Sequence, residues 1–199
     1  MNSWLFQLSH LSDLAVLSGT LSTISFLMYF RAIITRQIVP SKAAWIVWFL
    51  LDAMTFFGMW VTHTLNAQLC TVVVGSFISA ILAYKYGTPE WEPLERACLG
   101  GAVLGIVAWA IARDPIFGIL SGIVWNVVGA IPMFRTAWKE PEKERTAAWL
   151  FGTGSCGLSV YMVKSHRFVE IGQPIIFLLL NLSMIYLVYV RPALKLRTV

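Results

Sequence analysis

Seven apolar stretches of about 20 residues run along this chain, each separated from the next by a short polar break. They cover roughly 13–31, 43–63, 67–86, 93–112, 115–136, 147–165 and 171–190. A helix rising about 1.5 Å per residue needs about 20 apolar residues to cross the hydrocarbon core of a bilayer. Each stretch therefore predicts a membrane-spanning helix. The breaks carry stops and polar side chains: Pro40-Ser41-Lys42, His63 to Asn66, Gly87-Thr88-Pro89, Arg113-Asp114-Pro115, Lys139 to Arg145 and Ser165-His166-Arg167. The expected fold is an all-α membrane protein of seven transmembrane helices.

Part of this pattern is written twice. Phe30-Arg31 opens a segment that closes at Ala43-Ala44-Trp45, and Phe134-Arg135 opens one that closes at Ala147-Ala148-Trp149. The offset is a constant 104 without a gap. The first segment joins stretches one and two, and the second joins stretches five and six. Extending the offset pairs stretches one to three with five to seven and leaves the fourth over. Three crossings end on the opposite side of a membrane, so a second copy in the same orientation needs one inverting helix before it. The expected organisation is a first three-helix unit at 1–90, a linker helix at 91–113 and a second three-helix unit at 114–199. Parallel repeats of this kind build many transporters, with the solute site between the halves.

Composition supports the membrane reading. The chain is 58% hydrophobic and only 13% charged, with a mean hydropathy of +0.72, against about 25% charged residues in soluble domains. The net charge of +5 does not point to nucleic acid, because the basic residues sit in short loops. Twelve of the fifteen lie in the breaks after stretches one, three and five or at the C-terminus: Arg31, Arg36, Lys42, Lys85, Arg96, Arg135, Lys139, Lys143, Arg145, Arg191, Lys195 and Arg197. Arg113, Lys164 and Arg167 fall on the other side. The positive-inside rule then expects the N-terminus outside and the C-terminus in the cytoplasm. Residues 1–11 show no positive n-region or cleavage site, so the first apolar run is expected to remain as a helix. The compact loops suggest a bacterial inner membrane. Cys70, Cys98 and Cys156 are scattered and odd in number, which predicts neither a disulfide framework nor a metal site. No cofactor is expected.

Polar groups at mid-depth carry the chemistry, since an ionisable residue inside a bilayer is costly. Asp52, Asn126 and Asn181 stand near the centres of stretches two, five and seven. No Lys, Arg or His occurs at the depth of Asp52 to pair with it. Asp52 shares a helical face with Trp45, Trp48, Thr55 and Met59, and its repeat mate is Cys156. Such a carboxyl suits a ligand hydroxyl or a proton path. It could equally be a polar clamp bonded to Asn126 or Ser22, of a kind averaging about 0.6 kcal/mol. Trp48 could stack on a flat or sugar-like ligand. Trp45 and Trp149 match across the repeat and are expected at headgroup level, as are Trp4, Trp60, Trp91, Trp109 and Trp138. Trp125 neighbours Asn126 but faces elsewhere by about 100°. Gly101-x-x-x-Gly105 and Gly118-x-x-x-Gly122 permit close helix approach, and Gly152, Gly154 and Gly157 make stretch six slim. Pro132 should kink stretch five. The mixed-charge run Lys139 to Arg145 reads as a solvated linker, and Arg31 and Arg135 as anchors to lipid phosphate.

Gly129-Ala-Ile-Pro132-Met-Phe-Arg135-Thr-Ala-Trp138-Lys139, together with the 3+1+3 layout, resembles the SWEET sugar facilitators and the wider MtN3/PQ-loop clan. In that clan the loop opens on Pro-Gln; here Pro132 is followed by Met133, and the first unit has Met28-Tyr29 at the same place. The resemblance implies a sugar held at mid-depth by an Asn from the third helix of each unit. Asn181 takes that role in unit two, whereas unit one offers only Ser76 or Ser79. It also implies a proline hinge, here Pro132. The chain is similar as well to a group of small, uncharacterised bacterial membrane proteins with Trp-x-x-Trp in the second helix. A second architectural resemblance is to Pnu-type vitamin transporters, which share the layout and use Trp-x-x-Trp with Asn near the ligand; Trp45 and Trp48 have that spacing.

The expected function is transport of a small uncharged, sugar-like solute by alternating access around a mid-membrane site. The expected substrate-binding residues are Trp48, Asp52, Asn126 and Asn181. The alternatives are a vitamin or nucleoside carrier and a non-transporting scaffold or receptor with the same fold. No enzyme is expected: there is no His-x-x-x-His, no Ser/His pair and no carboxylate cluster, and His10, His63 and His166 lie away from mid-depth. The expected partners are the solute and the lipid bilayer, with no nucleic acid; a homo-oligomer is left open.

Overall fold

A computed structural model describes residues 13–88, 92–163 and 167–197, with side chains to residue 194. Trp4, His10, Trp91, Lys164 and His166 lie outside the described residues. Seven helices follow in order: α1 Asp13–Ile34, α2 Lys42–Val61, α3 Ala67–Tyr86, α4 Pro93–Ala112, α5 Pro115–Lys139, α6 Ala148–Met162 and α7 Phe168–Ile185. A π-helical turn, Tyr186–Val190, carries α7 into a short α8, Arg191–Arg197. No strand occurs among the described residues.

Six helices are long and apolar enough to cross a membrane: α1 to α5, and α7 with its continuation over Phe168–Leu194. The seventh expected span corresponds to α6. Its 15 residues, Ala148–Met162, fall short of a full crossing by length. Residues 147–165 are apolar enough, but the regular helix ends at Met162.

The helix ends follow local chemistry. Asn66 caps α3 through Leu69 N–H (2.8 Å), Asp114 caps α5 through Ile116 N–H (2.8 Å), and Ser41 caps α2 through Ala44 N–H (3.2 Å). Pro93 and Pro115 occupy first-turn positions, where a missing N–H costs nothing. Arg113 ends α4 in a left-handed conformation at φ 52°, so the chain reverses directly into α5.

Packing places the helices in a closed ring. α1 lies against α3, α3 against α2, α2 against α5, α5 against α7, α7 against α6, and α6 back against α1. The third helix of each sequence repeat thus stands between the first and second, and the two halves meet at α2–α5 and α1–α6. α4 lies outside the ring against α5 and α2.

Small residues permit this closeness. A Cβ at Gly101 or Gly105 would strike the ring of Trp125, and one at Gly118 would strike Trp109. Gly101, Gly105 and Gly118 therefore act as slots for indoles between α4 and α5, while Gly122 makes room for Thr55 of α2. Pro132 lies inside α5, which stays helical from Pro115 to Lys139. Proline has no N–H to offer the carbonyl four residues back. That carbonyl, Val128 O, accepts instead from the Cys98 thiol of α4 (3.5 Å). A second proline, Pro174, lies inside α7 of the same unit.

Candidate functional site

At the centre of the ring is a cavity of about 90 Å³, room for several water molecules. Every helix of the ring lines it. α1 contributes Ser22, Ser25, Phe26 and Tyr29, α2 Trp45, Trp48 and Asp52, and α3 Gln68 and Val72. α5 contributes Asn126, α6 Trp149, Gly152, Ser155 and Cys156, and α7 Phe177, Leu180 and Asn181. No Lys, Arg or His lines it among the described residues, so nothing there would attract an anion.

All four residues singled out as solute ligands border this one space. Asp52 is 3% exposed, has Ser76 and Asn126 as polar neighbours, and keeps one carboxyl oxygen, Oδ1, without a hydrogen-bond partner. A buried polar atom without a partner is uncommon and costs about 1–3 kcal/mol unless something satisfies it. Asn126 donates its side-chain amide to Gly122 O (3.1 Å), while its backbone carbonyl accepts from Trp48 Nε1 (3.1 Å). This bond orients the Trp48 ring, which meets Trp45 edge to face at 5.1 Å. Asn181 donates to Phe177 O (2.8 Å) and lies over Gly152, whose missing side chain makes the space it fills. Asp52 and its repeat mate Cys156 both line the cavity, so the repeat puts unlike groups at equivalent positions.

The two ends of the cavity close differently. At the end carrying most of the basic loop residues, the Tyr29 ring lies 4.9 Å from Trp45 and 5.8 Å from Trp149. Trp45 Nε1 donates to Tyr29 Oη (3.1 Å), which donates in turn to Glu144 Oε2 (3.1 Å). Trp149 Nε1 donates to the Glu144 backbone carbonyl (2.9 Å). Glu144 ends a 3-10 turn, Pro141–Glu144, and is 1% exposed. Burial pushes its carboxyl up to about 8, partly offset by the bond from Tyr29.

At the opposite end Gln173 donates to Gln68 Oε1 (3.0 Å) and Asn66 donates to Gln173 Oε1 (2.9 Å). Gln68 donates on to Cys156 Sγ (3.3 Å). Beside them Ser18 of α1 donates to Ser155 O (2.9 Å), Ser155 donates to Ser18 O (2.8 Å), and the Ser18 and Ser159 hydroxyls meet at 2.9 Å.

Three expectations are corrected here. Trp45 and Trp149 do not face outward as anchors; they are 5% and 9% exposed and face inward, because Tyr29 and Glu144 give their indole N–H groups partners inside the ring. The run Lys139 to Arg145 is not simply a solvated linker, since Glu144 turns inward from it. Arg135 pairs with Glu92 at the start of α4. Trp60 and Trp138 are half exposed, as anchors would be.

Hydropathy alone did not single out Tyr29, Ser18 and Ser25 of α1, Gln68, Gln173 or Glu144. A signal existed for α1: Ser18, Ser22, Ser25 and Tyr29 recur at helical spacing on one face of an apolar stretch. Glu144 left no such trace among its charged neighbours. Comparison with family models, with curated proteins and with solved structures gave no match.

Proposed function

We propose that this chain is a membrane carrier for a small uncharged solute, held at the central cavity and released to either side as the two three-helix halves rock against each other. The observation that carries this reading is the unpartnered Asp52 Oδ1 facing a cavity shared by all six helices of the ring. A solute hydroxyl would donate to it. Asn126 and Asn181 offer further amides, and Trp48 an aromatic face. The absence of Lys and Arg among the described lining residues supports a neutral, hydroxylated solute over an anion. The sugar-like solute implied by the resemblance to SWEET proteins agrees with this chemistry.

A second reading has its own observation. Tyr29, Trp45, Trp48 and Trp149 together present more aromatic surface than a single stacking platform, which favours a flat ring such as a nucleoside or vitamin. The experiment is thermal unfolding of the purified protein against sugars, nucleosides, vitamins and amino acids. A ligand at 100 times its Kd stabilises the folded state by about 2.7 kcal/mol. A stabilising compound whose effect disappears in Asp52→Asn and Asn181→Ala names the solute class and the site. Uptake of that compound into proteoliposomes then separates a carrier from a non-transporting receptor. No stabilising compound and no uptake would leave a membrane scaffold as the better reading.

A further inference from the structure

We infer that the Glu144 carboxyl is a proton-binding site that latches the basic end of the cavity: with its proton the Tyr29–Trp45–Trp149 floor stays closed, and without it the floor opens. This goes beyond the carrier reading, since it needs the cavity and its floor but no particular solute.

The geometry carries the inference. Glu144 lies one hydrogen bond behind the cavity wall, and every bond holding the floor converges on it. Its Oε2 accepts a hydrogen bond from Tyr29 Oη, its backbone carbonyl accepts one from Trp149 Nε1, and Trp45 reaches it through Tyr29. Its second oxygen, Oε1, has no partner. An ionised carboxylate so placed would be buried with a single donor and no cation, a costly arrangement, whereas a neutral acid is tolerated.

The surrounding charges are paired with other groups or exposed. On its own loop, Lys143 pairs with Glu140 (2.8 Å) and Arg145 with Glu142 (3.1 Å). Arg145 also lies over the Tyr189 ring of the π turn, at 5.4 Å. Arg191 of α8 stacks on Trp138 and donates to its carbonyl. Lys42 of α2 lies over Tyr84 of α3, and Arg36, beyond α1, over Tyr86. Arg31 of α1 and Lys139 of α5 are exposed. Tyr29 is the titratable group in contact with the carboxyl. Among the described residues no Lys or Arg forms an ion pair with Glu144.

The latch belongs to one half of the molecule. At the repeat offset of 104, the place of Glu144 is taken in the first unit by Pro40, which has no side chain to ionise. The step balances simply. On closing, Glu144 takes a proton from water and an Oε1–H bond forms; on opening that bond breaks and the proton returns to water.

The sign follows from linkage. The closed form holds its proton up to about 8, whereas an exposed Glu loses it near 4.3. Closure is therefore most favoured below the lower value, weakens as pH rises between the two, and gains nothing more above about 8.

The test reads access to Cys156, which lines the cavity, in a Cys70→Ser, Cys98→Ser background. A water-soluble thiol reagent is applied from pH 5 to 9, with Glu144→Gln measured alongside. Glutamine keeps an acceptor for Tyr29 but cannot ionise, so dividing the two rates removes the ordinary pH dependence of a thiol. A rise of roughly tenfold in that ratio toward pH 9 is expected. A flat ratio overturns the inference. Should Glu144→Gln not fold, acrylamide quenching of indole fluorescence in the parent protein serves instead. Greater quenching of buried indoles at pH 9 than at pH 5 supports the latch, and pH-independent quenching overturns it. Neither readout needs a transported solute, so a failed carrier reading and a failed latch are separately visible.

Discussion

The two ends of the cavity solve one problem with different chemistry. Each must hold helices from both halves together over the central cavity. The end beside Gln68 uses amides and hydroxyls that satisfy one another: Gln68, Gln173 and Asn66 in one chain, and Ser18, Ser155 and Ser159 in another. The basic end uses three large aromatic rings tied to one residue, Glu144: Tyr29 to its carboxyl, Trp149 to its backbone carbonyl and Trp45 through Tyr29. The first closure is a neutral network with its own donors and acceptors. The second depends on a group whose charge changes with pH. A molecule built this way can open one end by a chemical signal that leaves the other end's bonds unaltered.

Substitutions at the two ends should separate these roles, and the largest effect is expected at the aromatic floor. Trp149→Ala removes a buried ring and its bond to Glu144, and should cost about 3 kcal/mol or more in denaturant unfolding. An unchanged midpoint would mean that the floor is not packed as described. Gln173→Leu at the opposite end leaves Gln68 Oε1 and Asn66 Nδ2 short of a partner. It should cost about 2 kcal/mol by the same measurement, with no change in pH dependence. A pH-dependent effect there would erase the contrast between the ends.

Tyr29→Phe should cost about 1 kcal/mol, and it tests the basic end without emptying it. The variant keeps the ring but removes the donor to Glu144, so Cys156 should label faster than in the parent at pH 6. Ser18→Ala is the mildest probe. Interhelical hydrogen bonds of this kind average about 0.6 kcal/mol, and Ser155 and Ser159 remain to bond each other. A small drop in melting temperature with unchanged labelling of Cys156 is expected.

Much of the architecture was legible along the chain. The positions of α1 to α5 follow from apolar runs bounded by caps and prolines, all local signals. The slots for Trp125 and Trp109 could be guessed as close contacts from glycine spacing, though not which side chain would fill them. Asp52, Asn126 and Asn181 could be chosen by depth, because a polar group in an apolar run is conspicuous. Glu144 could not, because it sits among Lys139, Glu140, Glu142, Lys143 and Arg145, where one more charge is unremarkable. Trp45 and Trp149 were misplaced for a related reason. An indole at the end of an apolar run satisfies both an interface and an interior, and only a buried partner for its N–H chooses between them.

The apolar runs and their breaks were sufficient for the six long helices, because burying a backbone in lipid leaves helical hydrogen bonding as the local solution. The repeat at offset 104 relates α1 to α5 and α2 to α6 along the chain. The order of helices around the ring, the inward turn of Glu144 and the meeting of Asp52 with Asn126 and Asn181 depend on contacts between residues far apart in the chain. A hydropathy pattern records how deep a residue wants to lie; it does not record which neighbour will satisfy its polar atoms there. That second choice is made when helices pack, and in this protein it decides both the cavity and the group that closes it.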